Sequence, residues 1–121
     1  MKPDTTGHGW EGFYFGENGE HSWYEISRAI GDAMVARGLA SDPEPTTFSK
    51  AELVAYFGSE AAGLYSGTNA RCRAERGRAL GWKPTHTSKD MLASIAAEVE
   101  TYAKMMQEGK LEMKFEPAAG K

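Results

Sequence analysis

The sequence predicts an α+β fold that is mostly helical, with three to four helices and one or two short strands. Three observations lead to this prediction. Capping-box pairs, a hydroxyl residue followed three positions later by an acidic one, occur at three places. Apolar residues recur at helical spacing after the first and last pairs, and a short aromatic run between glycines is typical of a strand. Hydrophobic residues make up 40% of the 121, enough for a folded core.

The first predicted elements are a strand and a long helix. Residues 13–15, Phe-Tyr-Phe, predict one buried strand because aromatic residues favour β structure. Ser22 and Glu25 form a capping box, and the stripe that follows predicts a helix over 22–37 that Gly38 ends. The members of this stripe are Trp23, Ile26, Ile30, Ala33 and Met34.

Two shorter helices are predicted in the middle of the chain. A capping box over 49–52 predicts a helix that Gly58 ends. Residues 59–68 are small and rich in glycine, and Leu64 and Tyr65 are the only apolar anchors there. Asn69 is expected to cap a further helix over 70–79.

The last predicted helix is the longest. Thr87 and Asp90 form the third capping box, and an apolar stripe extends this helix to about 107, before Gly109. Residues 111–115 then alternate apolar and polar side chains, which predicts a strand or an arm that pairs with another chain. The stripe consists of Met91, Leu92, Ile95, Val99, Tyr102 and Met106.

The composition excludes several classes of protein. The 14 basic and 17 acidic residues leave a net charge of −3, which argues against binding nucleic acid through bulk charge. The single cysteine cannot form an internal disulfide. No apolar run approaches the roughly 18 residues of a membrane span, and residues 1–6 lack the apolar stretch of a signal peptide. We therefore expect a cytoplasmic protein that binds neither nucleic acid nor a membrane.

The sequence Leu80-Gly81-Trp82-Lys83-Pro84 is expected to end the helix over 70–79. Leu80 packs at the helix end, and Gly81 takes the positive φ that a helix C-terminus often needs. Trp82 folds back over the apolar face, and Pro84 prevents the helix from continuing. We assign these residues a structural role.

Two stretches of the chain carry a family resemblance: residues 12–26 (GFYFGENGEHSWYEI), and residues 76–84 (RGRALGWKP) together with the capped helix start at 87–92. Their order and spacing resemble the C-terminal, substrate-binding region of extended short-chain dehydrogenases/reductases, the NAD-dependent epimerase/dehydratase-like proteins. The aromatic residues of the first stretch are most similar to those of the fungal members. The resemblance covers roughly residues 10–105.

This resemblance implies a function for the chain and also implies which parts of the family's activity the chain lacks. The nucleotide-binding half of the family opens with Gly-x-x-Gly-x-x-Gly and holds a catalytic Tyr-x-x-x-Lys, and neither motif occurs in this sequence. We therefore expect a non-catalytic substrate-binding (cap) module without a dinucleotide site of its own. NAD(P) would be bound only where a nucleotide-binding half is supplied. The alternative is a self-associating interaction module that reuses the exposed interface of the missing half.

The resemblance also suggests a domain organisation and partners. Residues 1–11 are expected to be a flexible lead-in, residues 12–109 a single module like a substrate domain, and residues 110–121 a tail or an exchanged strand. The expected partners are a small-molecule ligand and either a second copy of the chain or a nucleotide-binding domain.

Aromatic and basic side chains are the candidates for contact with a substrate: Trp23, Tyr24, Tyr65, Arg71, Arg73 and Arg78. Arg71 and Arg78 are seven residues apart, so on a helix they would share a face that could hold an anion. A solvated helix face is the alternative. Glu17, Glu20 and His21 could bind a metal ion or exchange protons, or they could form a polar turn. We assign no catalytic, cofactor-binding or metal-binding residue.

Cys72 marks a departure from the sugar-nucleotide epimerases. Those proteins have an aspartate at the position that Cys72 occupies here, and an arginine that clamps the diphosphate lies upstream of it. Residues 64–68 of this chain contain no arginine, so the diphosphate clamp is not carried over. The two neighbouring arginines make Cys72 a candidate nucleophile, but a small helix-packing cysteine is the favoured interpretation because no protease-like signature surrounds it.

Overall fold

The computed structural model describes residues 6–110, which form five helices joined by loops. The helices are α1 (Trp23–Ala36), α2 (Lys50–Phe57), α3 (Glu60–Ser66), α4 (Glu75–Ala79) and α5 (Ser88–Gln107), and a 3₁₀ turn spans Gly9–Glu11. Across the part of the chain that is described, no helix has both the length and the apolar character needed to cross a membrane. The strand or arm predicted at 111–115 lies outside the described residues, as do the first five residues.

The predicted α+β fold class is wrong, because residues 6–110 contain helices and no strand. Residues 13–15 were predicted to form a strand, but their hydrogen bonds go to Arg76 and Gly7 and not to a neighbouring strand. Arg76 Nη1 donates a hydrogen bond to the carbonyl of Phe13 at 2.9 Å, and the Tyr14 hydroxyl accepts one from the backbone of Gly7 at 2.7 Å. The Arg76 contact thus satisfies the Phe13 carbonyl, which in a sheet would accept from a neighbouring strand.

The three capping boxes begin the three longest helices, as predicted. The carboxylate of Glu25 accepts from the backbone N–H of Ser22 at 2.7 Å, and Glu52 accepts in the same way from Ser49 at 2.8 Å. Asp90 accepts from the backbone N–H of Thr87 at 2.7 Å. These bonds satisfy backbone donors at the helix start that have no partner within the helix.

Gly81 ends α4 in the conformation that the sequence predicts. Its φ is +93°, and its N–H donates to the carbonyl of Arg78 at 3.0 Å. The N–H of Trp82 reaches back to the carbonyl of Gly77, also at 3.0 Å. This pair of bonds is a Schellman motif, which satisfies the last carbonyls of the helix. The ends of α1 and α5 repeat the motif.

Two of the middle helices differ from the prediction. Residues 60–66, for which the sequence predicts no element, form α3, because the Ser59 hydroxyl accepts from the N–H of Ala62 at 3.1 Å and caps a run of small residues. Helix α4 begins at Glu75, so the prediction of a helix from 70 is wrong for residues 70–74. Asn69 caps nothing, and the N–H of Ala74 donates to Glu17 at 3.2 Å. That contact fixes residue 74 in a loop from which α4 starts.

The helices pack as two separate pairs: α1 against α5, and α2 against α3. In the first pair, Ala33 of α1 is 6% exposed and Ile95 of α5 is 9% exposed. An ion pair of 2.7 Å between Arg37 and Glu100 joins the same two helices. In the second pair, α2 and α3 approach closely where Gly63 is buried. No other two helices of residues 6–110 come into contact.

The segment after α1 lies against that helix at Gly31. A Cβ atom added to Gly31 would lie 2.9 Å from the carbonyl carbon of Pro43 and closer still to its oxygen. The same segment is held by Glu44, which accepts from the Tyr24 hydroxyl at 3.0 Å and from Arg28 Nη1 at 2.7 Å. Gly31 is therefore required for the close approach of two backbones and not for an unusual φ.

Few hydrophobic side chains are buried. Among the described residues, only Ala33, Ala74 and Ile95 form the hydrophobic core. Large apolar side chains remain exposed on every helix except α4, including Trp23 at 64% and Tyr65 at 79%. Capping, helix-end motifs and side-chain hydrogen bonds therefore carry an unusually large part of the stability of this fold.

Gly31→Ala should lower stability, and Gly77→Ala should not. Alanine favours a helix over glycine by about 0.5–1 kcal/mol, so Gly77→Ala, whose Cβ has its nearest neighbour at an ordinary 3.5 Å, should be neutral or stabilising. The clash with Pro43 should reverse this sign at Gly31 and lower the free energy of unfolding by about 1–3 kcal/mol. Urea unfolding followed by circular dichroism measures both. A Gly31→Ala variant as stable as the wild type would contradict the close approach.

Helix content should fall at acid pH because of the capping carboxylates. Hydrogen bonds from Ser22 hold the pKa of Glu25 below its ordinary 4.5, and those from Ser49 do the same for Glu52. The backbone of Thr87 lowers the pKa of Asp90 below 3.8. Their stabilisation is present above the ordinary pKa values and is lost as pH falls through the lowered ones.

The combined variant Glu25→Gln, Glu52→Gln and Asp90→Asn should have a flatter acid limb in a pH titration followed by circular dichroism. Glu98→Gln is the control, since this exposed residue of α5 caps no helix. An acid limb that the combined variant leaves unchanged would refute the assignment to the caps.

Candidate functional site

A groove of about 1120 Å³ lies where three parts of the chain meet. One wall is the turn and helix start over 16–25, the second is the loop over 66–72 that follows α3, and the third is the start of α5. Trp23 and Met91 supply apolar surface, and hydroxyl and amide groups supply hydrogen-bonding surface. The groove is wide and open to solvent, and its walls are both apolar and polar.

Glu17 and Arg78 hold the turn that forms the first wall. Arg78 Nη1 lies 3.1 Å from Glu17 Oε2, and Arg78 Nη2 donates to the carbonyl of Glu17 at 2.9 Å and to Asn18 Oδ1 at 3.2 Å. Glu17 Oε1 also accepts from the N–H of Gly19 at 3.0 Å. The Asn18 amide donates to the carbonyl of His86, which ties the turn to the segment before α5. The shape of the groove therefore depends on the Arg78 contacts.

The pKa of Glu17 is held below its ordinary value of 4.5. The main cause is the hydrogen bond from the Gly19 backbone, and the bonds from Arg78 and Ala74 act in the same direction. The carboxylate thus stays charged, and its oxygens are already occupied by donors of the protein. Glu17 is a structural carboxylate here and not a candidate acid or base.

Arg76 binds the segment that precedes the turn. Its guanidinium donates to the carbonyls of Phe13 and Glu11 and lies 4.8 Å from the centre of the Tyr14 ring. Arg78 stands in a similar way over the ring of Trp82, at 5.6 Å. Arg76 and Arg78 therefore attach residues 11–18 to α4 by hydrogen bonds, to which Arg76 adds a cation–π contact with Tyr14.

Arg71 and Arg73 have different surroundings from this pair. Both lie in the loop before α4, so the prediction that Arg71 and Arg78 share a helix face is wrong. Arg71 lines the groove and reaches Glu20 at 3.4 Å, with both side chains at least two-thirds exposed. Arg73 is exposed and lies outside the groove lining. An exposed pair of this length contributes little to stability, so the Arg71 guanidinium is open to a ligand.

The structure brings together only two of the six predicted substrate contacts, Trp23 and Arg71, both in the groove. Tyr24 donates to Glu44 and so belongs to the contact between α1 and the segment after it. Tyr65 is on α3, 79% exposed, and does not line the groove. Arg78 does not line the groove, because its guanidinium donates to Glu17 and Asn18 of the turn.

Five further residues line the groove although the sequence did not mark them as site candidates: Thr68, Asn69, Thr87, Ser88 and Met91. The capping box marked Thr87 as a helix start, but its proximity to the turn at 17–21 comes from long-range contacts such as that of Asn18 with His86. No local pattern in the sequence signals that proximity.

Glu20, His21 and Cys72 also line the groove. Within residues 6–110, no group of three or more histidine, cysteine, aspartate or glutamate side chains is arranged to hold a metal ion. Cys72 carries an exposed free thiol. It lies in the loop and packs into no helix, so its predicted helix-packing role is wrong.

The Leu80–Pro84 motif borders a second cavity, of about 290 Å³. Tyr14, Phe15, Gly77, Leu80 and Trp82 are among its lining residues. The Trp82 ring lies next to Gly77, as expected for a side chain that folds back over the helix. Residues 80–82 thus end α4 and support the segment over 14–16 that leads into the groove.

Comparison with known proteins shows a partial relationship. The chain is 40% identical over 74 residues to oxidase ucsJ of an Acremonium species. The match covers 60% of this chain and 21% of the oxidase, so the chain spans about a fifth of the length of this curated relative. No family of known proteins matches the chain, and no solved structure matches it. The chain is thus similar, over part of its length, to a protein named as an oxidase.

Arg78→Ala should destabilise the fold much more than Arg71→Ala. The first change removes three hydrogen bonds and leaves Glu17, whose side chain is 19% exposed, without its cation. The second removes one long, exposed contact. We expect the melting temperature to fall by roughly 5 °C or more for Arg78→Ala and by less than about 2 °C for Arg71→Ala. Equal shifts in thermal unfolding would show that the two arginines have the same role.

Proposed function

We propose that this chain is the substrate-binding part of an oxidoreductase-like protein, and that the groove between the 16–25 turn and the 66–72 loop takes the substrate. The observation that carries the proposal is the 40% identity over 74 residues to an oxidase. The Leu80–Pro84 helix end and the capped starts of α1 and α5 support it. They have the local structure expected from the resemblance to the substrate-binding region of extended short-chain dehydrogenases/reductases.

The groove offers contacts that a bound ligand could use. Trp23 offers an exposed ring for an apolar or planar part of a ligand, and Arg71 offers donors for an oxygen atom. The groove carboxylates of Glu17 and Glu25 already accept hydrogen bonds from the protein. Recognition and orientation of the substrate are therefore the roles that we assign to this chain.

We propose that the pyrophosphate of a dinucleotide does not bind at the starts of α1, α2 and α5. Such a group binds at a helix start that presents uncapped backbone N–H groups, typically after a glycine-rich turn. The starts of α1, α2 and α5 are each closed by their own acidic capping residue. We propose that any dinucleotide is held by a nucleotide-binding part other than residues 6–110.

A chimera tests this proposal. Residues 12–109 would replace the corresponding region of the Acremonium oxidase, and we expect turnover of the substrate of that oxidase to be retained. In the chimera, Trp23→Ala should raise KM about tenfold, with a smaller change in kcat, because an exposed stacking surface is lost. Trp10→Ala is the matched control, since Trp10 is 91% exposed and lies outside the groove.

Two results would reject the proposal. A chimera that folds, as judged by circular dichroism, but does not turn over substrate would refute the assignment as a substrate-binding part. Equal KM values for Trp23→Ala and Trp10→Ala would exclude the groove as the substrate site. Calorimetric titration of the 121-residue chain with NADH and NADPH should show no saturable binding, and tight binding would contradict the placement of the dinucleotide elsewhere.

A further inference from the structure

The second wall of the groove contains a short segment, residues 69–73, which we call the groove loop. Both ends of this loop are anchored. On one side, the N–H and the hydroxyl of Thr68 donate to the carbonyl of Tyr65 at 3.1 and 2.8 Å, so that Thr68 stays attached to the end of α3. On the other side, Ala74 is 1% exposed, and its N–H donates to Glu17. The groove loop therefore begins and ends at fixed points.

Between these anchors the groove loop has few restraints. All five of its residues are exposed and belong to no helix. Within the described part of the chain, the loop makes one ion pair or hydrogen bond with other residues, the contact of Arg71 with Glu20 at 3.4 Å. That contact joins the second wall of the groove to the first, because both side chains line the groove. A segment with so few contacts belongs to the least stable part of a fold.

The first and third walls of the groove are joined to each other more firmly. Asn18 donates to the carbonyl of His86 and accepts from Arg78 at 3.2 Å, so its amide is held on both sides. Gly19 lies in contact with the first residue of α5, since a Cβ atom added to it would lie 3.4 Å from the backbone nitrogen of Ser88. These two walls therefore form the fixed side of the groove.

We propose that the groove loop is a movable wall, which swings between its anchors when Arg71 and Glu20 separate and so changes the width of the groove. The two side chains are 80% and 69% exposed, and an ion pair this open to water contributes little, so the loop leaves its position easily. Loops that move in this way admit and release ligands. This role rests on the proposed function, in which the groove takes the substrate.

Limited proteolysis of the 121-residue chain with trypsin, which cleaves after basic residues, tests the movable wall. Arg71 and Arg73 lie in the groove loop, whereas Lys89 lies in the first turn of α5, on the fixed side. We expect cleavage in the loop to be at least about tenfold faster than cleavage after Lys89. Glu20→Gln should raise the loop rate about twofold to fivefold, because it releases Arg71. Glu98→Gln is the matched control, since it removes an exposed carboxylate of α5 outside the groove lining.

Fragment masses assign each cut, so every outcome is decisive. Loop cleavage that is no faster than cleavage after Lys89 overturns the proposal, and so do equal loop rates in Glu20→Gln and Glu98→Gln. If Glu20→Gln raises the rate at Lys89 as much as in the loop, the whole fold has loosened and the proposal is again overturned. The experiment contains no ligand, so its result does not depend on whether Trp23→Ala raises KM in the chimera.

Discussion

The contact between Arg78 and Glu17 is the interaction on which the arrangement of the described residues depends. It joins the turn after the N-terminal segment to α4, across 61 positions in the chain. Through Asn18 the same turn reaches the segment before α5. Because Glu17 is only 19% exposed, this ion pair is less screened by water than the Arg71–Glu20 pair, whose side chains are 80% and 69% exposed. One guanidinium thus positions two of the three walls of the groove.

The helices themselves depend on short-range chemistry. Capping boxes at their starts and glycines at their ends satisfy backbone groups without help from a large core, which this chain does not have among its described residues. A fold of this kind keeps its helices although its large apolar side chains are exposed. Strong local capping signals and exposed aromatic side chains therefore occur together in this chain.

The contrast between short-range capping and long-range contacts explains how far the sequence could predict the structure. Helices α1, α2 and α5 and the turn at Gly81 were predictable because their signals lie within a few residues of each other. The strand at 13–15 was wrongly predicted because Arg76, far along the chain, takes up its backbone carbonyl. Of the residues predicted to contact a substrate, Trp23 and Arg71 line the groove, whereas Arg78 holds the turn beside it. An arginine in a cluster has the same local pattern whether it serves a ligand or a distant carboxylate.

Cys72 has a practical consequence. It is the single cysteine of the chain, its thiol is exposed, and it lines the groove next to Arg71. A maleimide fluorophore or a spin label would therefore attach at one site without any engineered substitution. Its emission or its spectral line shape would report directly on the mobility and polarity of the groove loop, so occupancy of the groove could be followed in the natural sequence even before a ligand is known.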